Sequence, residues 1–249
     1  PVVKSPAPPA NAGETATRPE VPRSGMEWHD LTHRIDADTP RLPFLDAPRV
    51  ASLEEPLLAA SELVIATHAG THVEAPRHRF PDGAGIDIYP PDRFLGKAIA
   101  WSPAVGARDP IEATELEAVL ADLAPGDALL VHTGWDEHVG SGRYEDHPYL
   151  TPGAAEAVAD AEVSWLGLDA PTPENPAALA DDPDPGNPEA FPVHTALLGA
   201  DVLIAENLTN VGRVATDTGA RVDVAALPLP VGDGDAAPAR VAARDHTGR

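Results

Sequence analysis

Apolar residues along this chain come in short runs, and the period of the runs changes from one to the next. In "TELEAVLADL" (114–123) they recur at helical spacing, which predicts a helix. "PGDALLVHTG" (125–134) is a turn followed by an unbroken apolar run, the mark of a buried strand. "TPGAAEAVADAEVSWLGLD" (151–169) reads as a helix and then a strand; Thr151 is placed to cap the helix and Pro152 to occupy its first position. "TALLGADVLIAEN" (195–207) repeats that order, with a strand that ends in Glu206. "SELVIATH" (61–68), "RVDVAALPLP" (221–230) and "PARVAAR" (238–244) read as further strands, and "ENPAALADDPDPGNPEAFP" (174–192) as a Pro- and Asp-rich loop. Strands alternating with short helices predict an α/β class with a mixed sheet, and no internal repeat is present.

The first 25 residues, rich in Pro, Ala, Thr and Glu, carry no periodic apolar pattern and are expected to be disordered. The single methionine, Met26, follows them directly, so it is an expected natural start, with a flexible tail the alternative. Residues 26–249 are expected to form one domain, and 43% hydrophobic content at this length is enough for one sizeable core.

Charge narrows the partners. Forty acids against seventeen bases give −23, which argues against nucleic acid or an anionic membrane, since both call for a basic face. Only Lys4 and Lys97 are lysines; the other bases are arginines. An acidic, lysine-poor surface suits a salty cytoplasm, where short-range screening relieves self-repulsion; the alternative is a GC-rich genome that favours Arg. A cytoplasmic location is expected, as no secretory signal core or apolar run of about 18 residues appears. With no cysteine, a metal would take N and O ligands.

The chemistry concentrates in "HAGTHVEAPRH". His68, His72, Glu74 and His78 are spaced 4, 2 and 4, and Gly70 and Pro76 break any single helix through them. An irregular loop lets the four side chains converge. Imidazole and carboxylate are ligands that zinc and manganese accept. Thr71 between them is a candidate to hold a ligand or substrate by hydrogen bond. Solvated loop histidines are the bland alternative. No G-x-S-x-G elbow is present, so water is the expected nucleophile.

This stretch resembles the signature of the cyclase family, H-x-G-T-H-x-D-x-P-x-H, which includes bacterial kynurenine formamidases and isatin hydrolases. "HDLTHRIDADTP" (29–40), "LLVHTGW" (129–135), "LGLDAPTPE" (166–174), "VHTALLGADVLIAENLTN" (193–210) and "LPLPVGDGDAAPARVAA" (227–243) are similar to its further segments in the same order, so the resemblance covers about residues 27–244. It implies a mixed sheet or barrel-like core flanked by helices, of the swivelling β/β/α type, assembled as a homodimer or homotetramer. It implies one or two divalent metals, Zn or Mn: His68, His72 and Glu74 on the first, with Glu74 bridging to a second that takes His78, His194 and Glu206. In one-metal members the position of His78 is a general base, so His78 is ligand or base, and Glu206 joins it among the catalytic candidates.

The departure is Glu74, where the family has Asp. The extra methylene carries the carboxylate about 1.5 Å further out, which puts the metal count in question unless the loop absorbs it. The resemblance implies a metal-dependent hydrolase acting on a small-molecule amide, with N-formyl-L-kynurenine to L-kynurenine and formate as the first expectation. A lactam or enol-lactone hydrolase and a non-catalytic or polyketide cyclase-like metal binder are the alternatives.

Other residues are weaker candidates. Phe44 and Trp135 are placed as substrate contacts, Trp135 by stacking, although the family's Pro-Gly opening is missing around Phe44 and core packing serves Trp135 equally. Asp30, Thr32 and His33 are expected to anchor a strand end. Asp169 is expected to satisfy backbone amides, and Asn207 is placed beside Glu206 to orient it. His138 and His147 fall in a Gly- and Asp-rich loop and are expected in solvent.

Overall fold

A computed structural model describes residues 27–53, 58–177 and 190–246. Among them the strands are β1 (His29–Asp30), β2 (Arg49–Leu53), β3 (Ala60–Val64), β4 (His72–Glu74), β5 (Leu95–Trp101), β6 (Pro110–Ile111), β7 (Ala128–Val131), β8 (Tyr149–Leu150), β9 (Trp165–Leu168), β10 (Leu203–Glu206), β11 (Ala220–Pro228) and β12 (Ala236–Asp245). The helices are α1 (Ala113–Ala121), α2 (Pro152–Asp160) and α3 (Pro192–Gly199). The expected disordered extension lies outside the described residues, as does the middle of the loop expected at 174–192.

Seven strands close on themselves in the order β12-β11-β5-β7-β9-β10-β4, because β4 pairs with both β10 and the start of β12. β1 extends the same edge of β12 at Ala242 and Ala243. β5, β7, β9 and β10 run parallel, and α1, α2 and α3 lie between them in the chain, as parallel strands require. This is the mixed barrel-like α/β fold that the cyclase resemblance implied.

The parallel strands are apolar on both faces because both faces are covered. Ala98, Ala100, Ala128, Leu130, Trp165 and Ala205 fill the barrel, while the alternate residues Ile99, Trp101, Leu129, Val131, Leu166 and Ile204 pack under the helices. The interior is narrow: a Cβ on Gly167 would sit 2.8 Å from a Leu130 methyl and 2.9 Å from one of Leu208. Helix starts follow the sequence. Thr151 Oγ1 accepts from Ala154 N, with Pro152 next, and Glu112 and Glu115 form a reciprocal capping box on α1.

Two expectations need correction. The strand expected to run through 61–68 ends at Val64 and pairs only with β2, as a two-stranded ribbon apart from the barrel. The chain then turns at Ala66–Gly70, with Gly70 at φ +71°, before β4 begins. The barrel strand β5 was not among the predicted elements; its first residues, Leu95–Lys97, are exposed, which blurs the apolar run. No helix among the described residues is long and apolar enough to cross a membrane.

Candidate metal centre

The motif expected as an irregular loop is in part a strand: His72–Glu74 form β4, which alternates strictly. Val73 enters the barrel, so His72 and Glu74 face outward beneath the helix layer. The antiparallel register of β10 sets Glu206 directly opposite His72 and Ile204 opposite Glu74, so Glu206 shares their face. Pro76 opens a single helical turn that folds His78 back, with His78 N bonded to Ala75 O at 2.8 Å. His194 arrives from the first turn of α3. The tertiary fold thus gathers His68, His72, Glu74, His78, His194 and Glu206 in one place.

Glu74 is the hub. Its Oε1 lies 2.9 Å from His68 Nδ1, 3.5 Å from His72 Nε2 and 3.6 Å from His78 Nε2, and its Oε2 lies 3.2 Å from His194 Nε2. Glu206 lies 3.4 Å from His72 Nε2 and 3.6 Å from His194 Nε2. Two donor groups, His68–Glu74–His78 and His72–Glu74–Glu206, each have ligand atoms close enough to share one ion, and Glu74 belongs to both. The expected first-ion set also holds together, since His68 Nδ1 lies 3.2 Å from His72 Nε2 and both face Glu74 Oε1, so the six donors form one connected cluster with Glu74 at its centre.

The far side of each imidazole explains its orientation. His72 Nδ1 is 2.8 Å from Gly70 O, His194 Nδ1 is 2.9 Å from Glu174 Oε1, and His68 Nε2 is 2.8 Å from Asp235 Oδ2. A carbonyl or an ionised carboxylate accepts only, so the facing nitrogen carries the hydrogen and the opposite nitrogen of the neutral ring keeps a lone pair. The inner nitrogens face Glu74 and Glu206, and each would bare a lone pair there once its proton is exchanged for a cation. Meanwhile Glu74 Oε2 and Glu206 Oε1 are buried and outside any hydrogen bond. Convergent lone pairs around unbonded buried carboxylate oxygens are costly unless a cation compensates them. The residues therefore fit a divalent ion held by N and O ligands, and that donor set is one that zinc and manganese accept.

In the absence of an ion, protons on the rings take the place of that cation. Burial opposes the His68 cation, but hydrogen bonds to Asp235 and Glu74 outweigh it and raise its pKa to about 10. Burial likewise opposes the His194 cation, and the charge of Glu74 and the hydrogen bond to Glu174 drive its pKa well above the ordinary value. Burial opposes the Glu74 anion, yet the charges of His78 and His194 hold its carboxyl well below the usual range. The pocket favours net positive charge at its centre, which a metal ion supplies in exchange for protons.

Other candidates sit elsewhere. Thr71 Oγ1 donates to Asn207 O at 2.6 Å and accepts from His33 N at 2.9 Å, tying the entry of β4 to the end of β10. Trp135 is buried in the helix-layer core, with its Nε1 donating to Tyr144 O. Phe44 is 79% exposed. Asp30 pairs with Arg240 and Thr32 bonds Val241, so both anchor β1 to β12. Asn207 Oδ1 accepts a hydrogen bond from the Tyr144 hydroxyl. His147 departs from expectation: it is fully buried, its Nδ1 donates to Pro148 O, and burial lowers its pKa to about 4. The loop that holds it packs as a short helical turn, Gly142–Asp146, which composition alone does not reveal.

Reading the sequence missed Glu174 and Asp235. Both stand in segments quoted for the resemblance, but nothing in their local pattern marks a carboxylate that backs a histidine far along the chain. A second histidine–acid group, His132–Asp136–Asp169, lies near the ends of β7 and β9. There Asp169 accepts from Thr133 N, Thr133 Oγ1 and Gly134 N, in line with its expected role.

Comparison with known proteins follows this geometry. The family model Cyclase ("Putative cyclase") matches residues 29–175. A kynurenine formamidase of Salinibacter ruber is 33% identical over 200 residues, covering 77% of this chain and 82% of that protein. One of Geobacillus thermodenitrificans is 27% identical over 222 residues, covering 87% and 97%. Among solved structures, an isatin hydrolase bound to the product analogue thioisatinate superposes with a TM-score of 0.77 at 20% identity, covering 89% of this chain and 93% of that one. A potential metal-dependent hydrolase with cyclase activity gives 0.73 at 26% identity, covering 90% and 100%. The chain belongs to the cyclase family, and it is a hydrolase of that family.

Proposed function

We propose that this protein is an arylformamidase that hydrolyses N-formyl-L-kynurenine to L-kynurenine and formate with the help of a divalent metal, zinc or manganese. The observation that carries the reading is the set of three imidazoles, each backed on its outer nitrogen, that converge on Glu74 and Glu206, where Glu74 Oε2 and Glu206 Oε1 are buried and unbonded. The similarity to kynurenine formamidases over most of the chain supports the substrate.

A bound divalent ion would polarise the formyl carbonyl and lower the pKa of an attacking water to about 7. His68, His72, Glu74, His78, His194 and Glu206 would hold a pair of ions. With a single ion, His78, one-third exposed with Nε2 turned toward Glu74, would be the group placed to take the proton from water and return it to the departing aniline nitrogen. Glu74 presents its two oxygens to different histidines, which supports a shared role between two ions. Two metals per chain by elemental analysis is the expected result; one per chain would remove the shared role.

The decisive assay is formate release from N-formyl-L-kynurenine. Activity should vanish on chelation and return with Zn²⁺ or Mn²⁺. Turnover of isatin without turnover of the formamide would instead support the lactam reading that the isatin hydrolase fold likeness favours. No turnover of either by metal-loaded protein would sink both. We also propose a homodimer, supported by the β2–β3 ribbon, whose Val50, Leu53, Leu63 and Val64 are each about half exposed. Light scattering at the monomer mass would refute it.

A further inference from the structure

We infer that Asp235 is a positioning residue of this centre, one that holds His68 in the tautomer baring Nδ1 and steers the ring of His78. The inference rests on the metal-dependent reading of the site. Asp235 belongs to neither donor group that faces Glu74, and it comes from the turn that leads into β12, more than 150 positions after the histidine motif.

The turn is built to deliver it. Gly234 N bonds Val231 O at 2.9 Å, and a Cβ on Gly234 would press on that same carbonyl at 2.9 Å. Ile86 N takes Gly234 O at 2.8 Å, and Ala75 N takes Asp235 O at 2.9 Å, so the turn is pinned to the chain on both sides of the His78 turn. Thr67 Oγ1 then donates to Asp235 Oδ1 at 3.2 Å and orients the carboxylate. Its other oxygen accepts from His68 Nε2 at 2.8 Å and lies 3.5 Å from His78 Nδ1.

One carboxylate therefore backs two imidazoles, whose ring centroids are only 4.2 Å apart. His72 and His194 are backed separately, by a main-chain carbonyl and by Glu174. Main chain cannot be removed by side-chain mutation, and Glu174 also caps the backbone N–H of His194, so its loss would disturb α3 itself. Asp235 is 40% exposed and bonds side chains through its carboxylate, so its removal isolates the orienting role. Without it, His68 loses the acceptor that selects its tautomer, and either ring nitrogen can carry the hydrogen.

Cobalt(II) titration of the purified full chain tests this, followed by ligand-field absorption and by competition with a chelator. Asp235→Ala should weaken cobalt affinity about 10- to 100-fold, the range for a residue that orients a metal ligand, and should shift the absorption bands. Asp235→Asn, whose amide oxygen can still accept from His68, should recover part of the affinity. Thr67→Val should lose less than Asp235→Ala, and Asp233→Asn, a neighbour on the same turn, should match the wild type. Wild-type affinity and an unchanged spectrum in Asp235→Ala would overturn the role. Should that variant not fold, wild-type behaviour of both Asp235→Asn and Thr67→Val would overturn it equally. A wild-type protein that takes up no cobalt at all would instead overturn the metal reading, and this inference with it.

Discussion

The His68–Glu74–His194 cluster and the His132–Asp136–Asp169 group use the same residue types, and they differ in what their carboxylate oxygens already hold. Asp169 accepts two backbone N–H groups and a hydroxyl, and Asp136 Oδ2 accepts Thr209 Oγ1 at 2.7 Å and Asn210 N at 3.0 Å. His132 Nε2 stands 3.8 Å from Asp169, with its Nδ1 on Ser102. That group is a knot that closes loops. In the first cluster three of the rings have an acceptor on the outer side, and Glu74 Oε2 and Glu206 Oε1 are left without a hydrogen bond. Proximity of histidines and acids is thus a poor guide to a metal site. What separates the two is whether donors have already been spent on the acids.

Variants can break that contrast, and the largest effect is expected at the reacting end. His78→Ala should lower kcat on N-formyl-L-kynurenine by about 10²- to 10⁴-fold, the usual worth of a general acid–base group. An unchanged kcat would remove His78 from proton transfer. Glu74→Gln should weaken metal binding by more than about 100-fold, beyond the loss from an outer orienting residue. Calorimetry checks this, and Glu74→Asp beside it asks whether the longer side chain sets the metal count. Asp169→Ala should do the opposite: lose about 3 kcal/mol of stability in urea unfolding, because two amides and a hydroxyl lose their acceptor, while metal affinity stays put. A fall in metal affinity there would erase the distinction between the two groups.

A third histidine sharpens it further. His147 is neutral in the fold with a pKa of about 4, and about 6.5 when unfolded. Its contribution to stability is full above pH 6.5. As pH falls from about 6.5 to about 4 the unfolded chain takes a proton that the fold refuses, so about 3 kcal/mol is lost. His147→Gln should flatten that part of the stability profile; a profile equal to wild type would show that the residue does not stay neutral. The smallest effect concerns the surface. With a net charge of −23, stability should rise as KCl goes from about 0.1 M to about 1 M and the Debye length shrinks from about 10 Å to about 3 Å. A flat or falling trend would remove the salt-adapted reading.

Much of this was readable along the chain. The helices α1 and α2 announce themselves through period and caps, because both signals are local. The six metal-ligand candidates were nameable through the family resemblance. The missing pieces fail for one reason, distance along the chain. Glu174 and Asp235 act on histidines 20 and 167 residues away, and local spacing carries no trace of such pairs. His147 was misjudged because a polar loop sequence says nothing of what packs over it. β5 was overlooked because only its second half is buried.

By itself the sequence determined the α/β class, the acidic surface, the thiol-free ligand chemistry and a stretch in which three histidines and a glutamate stand within eleven residues. Only the tertiary structure decided which nitrogen each histidine offers. That choice depends on the acceptor behind the ring, and Gly70, Glu174 and Asp235 are brought there by a turn, a loop and a strand start that meet when β4 closes the barrel between β10 and β12.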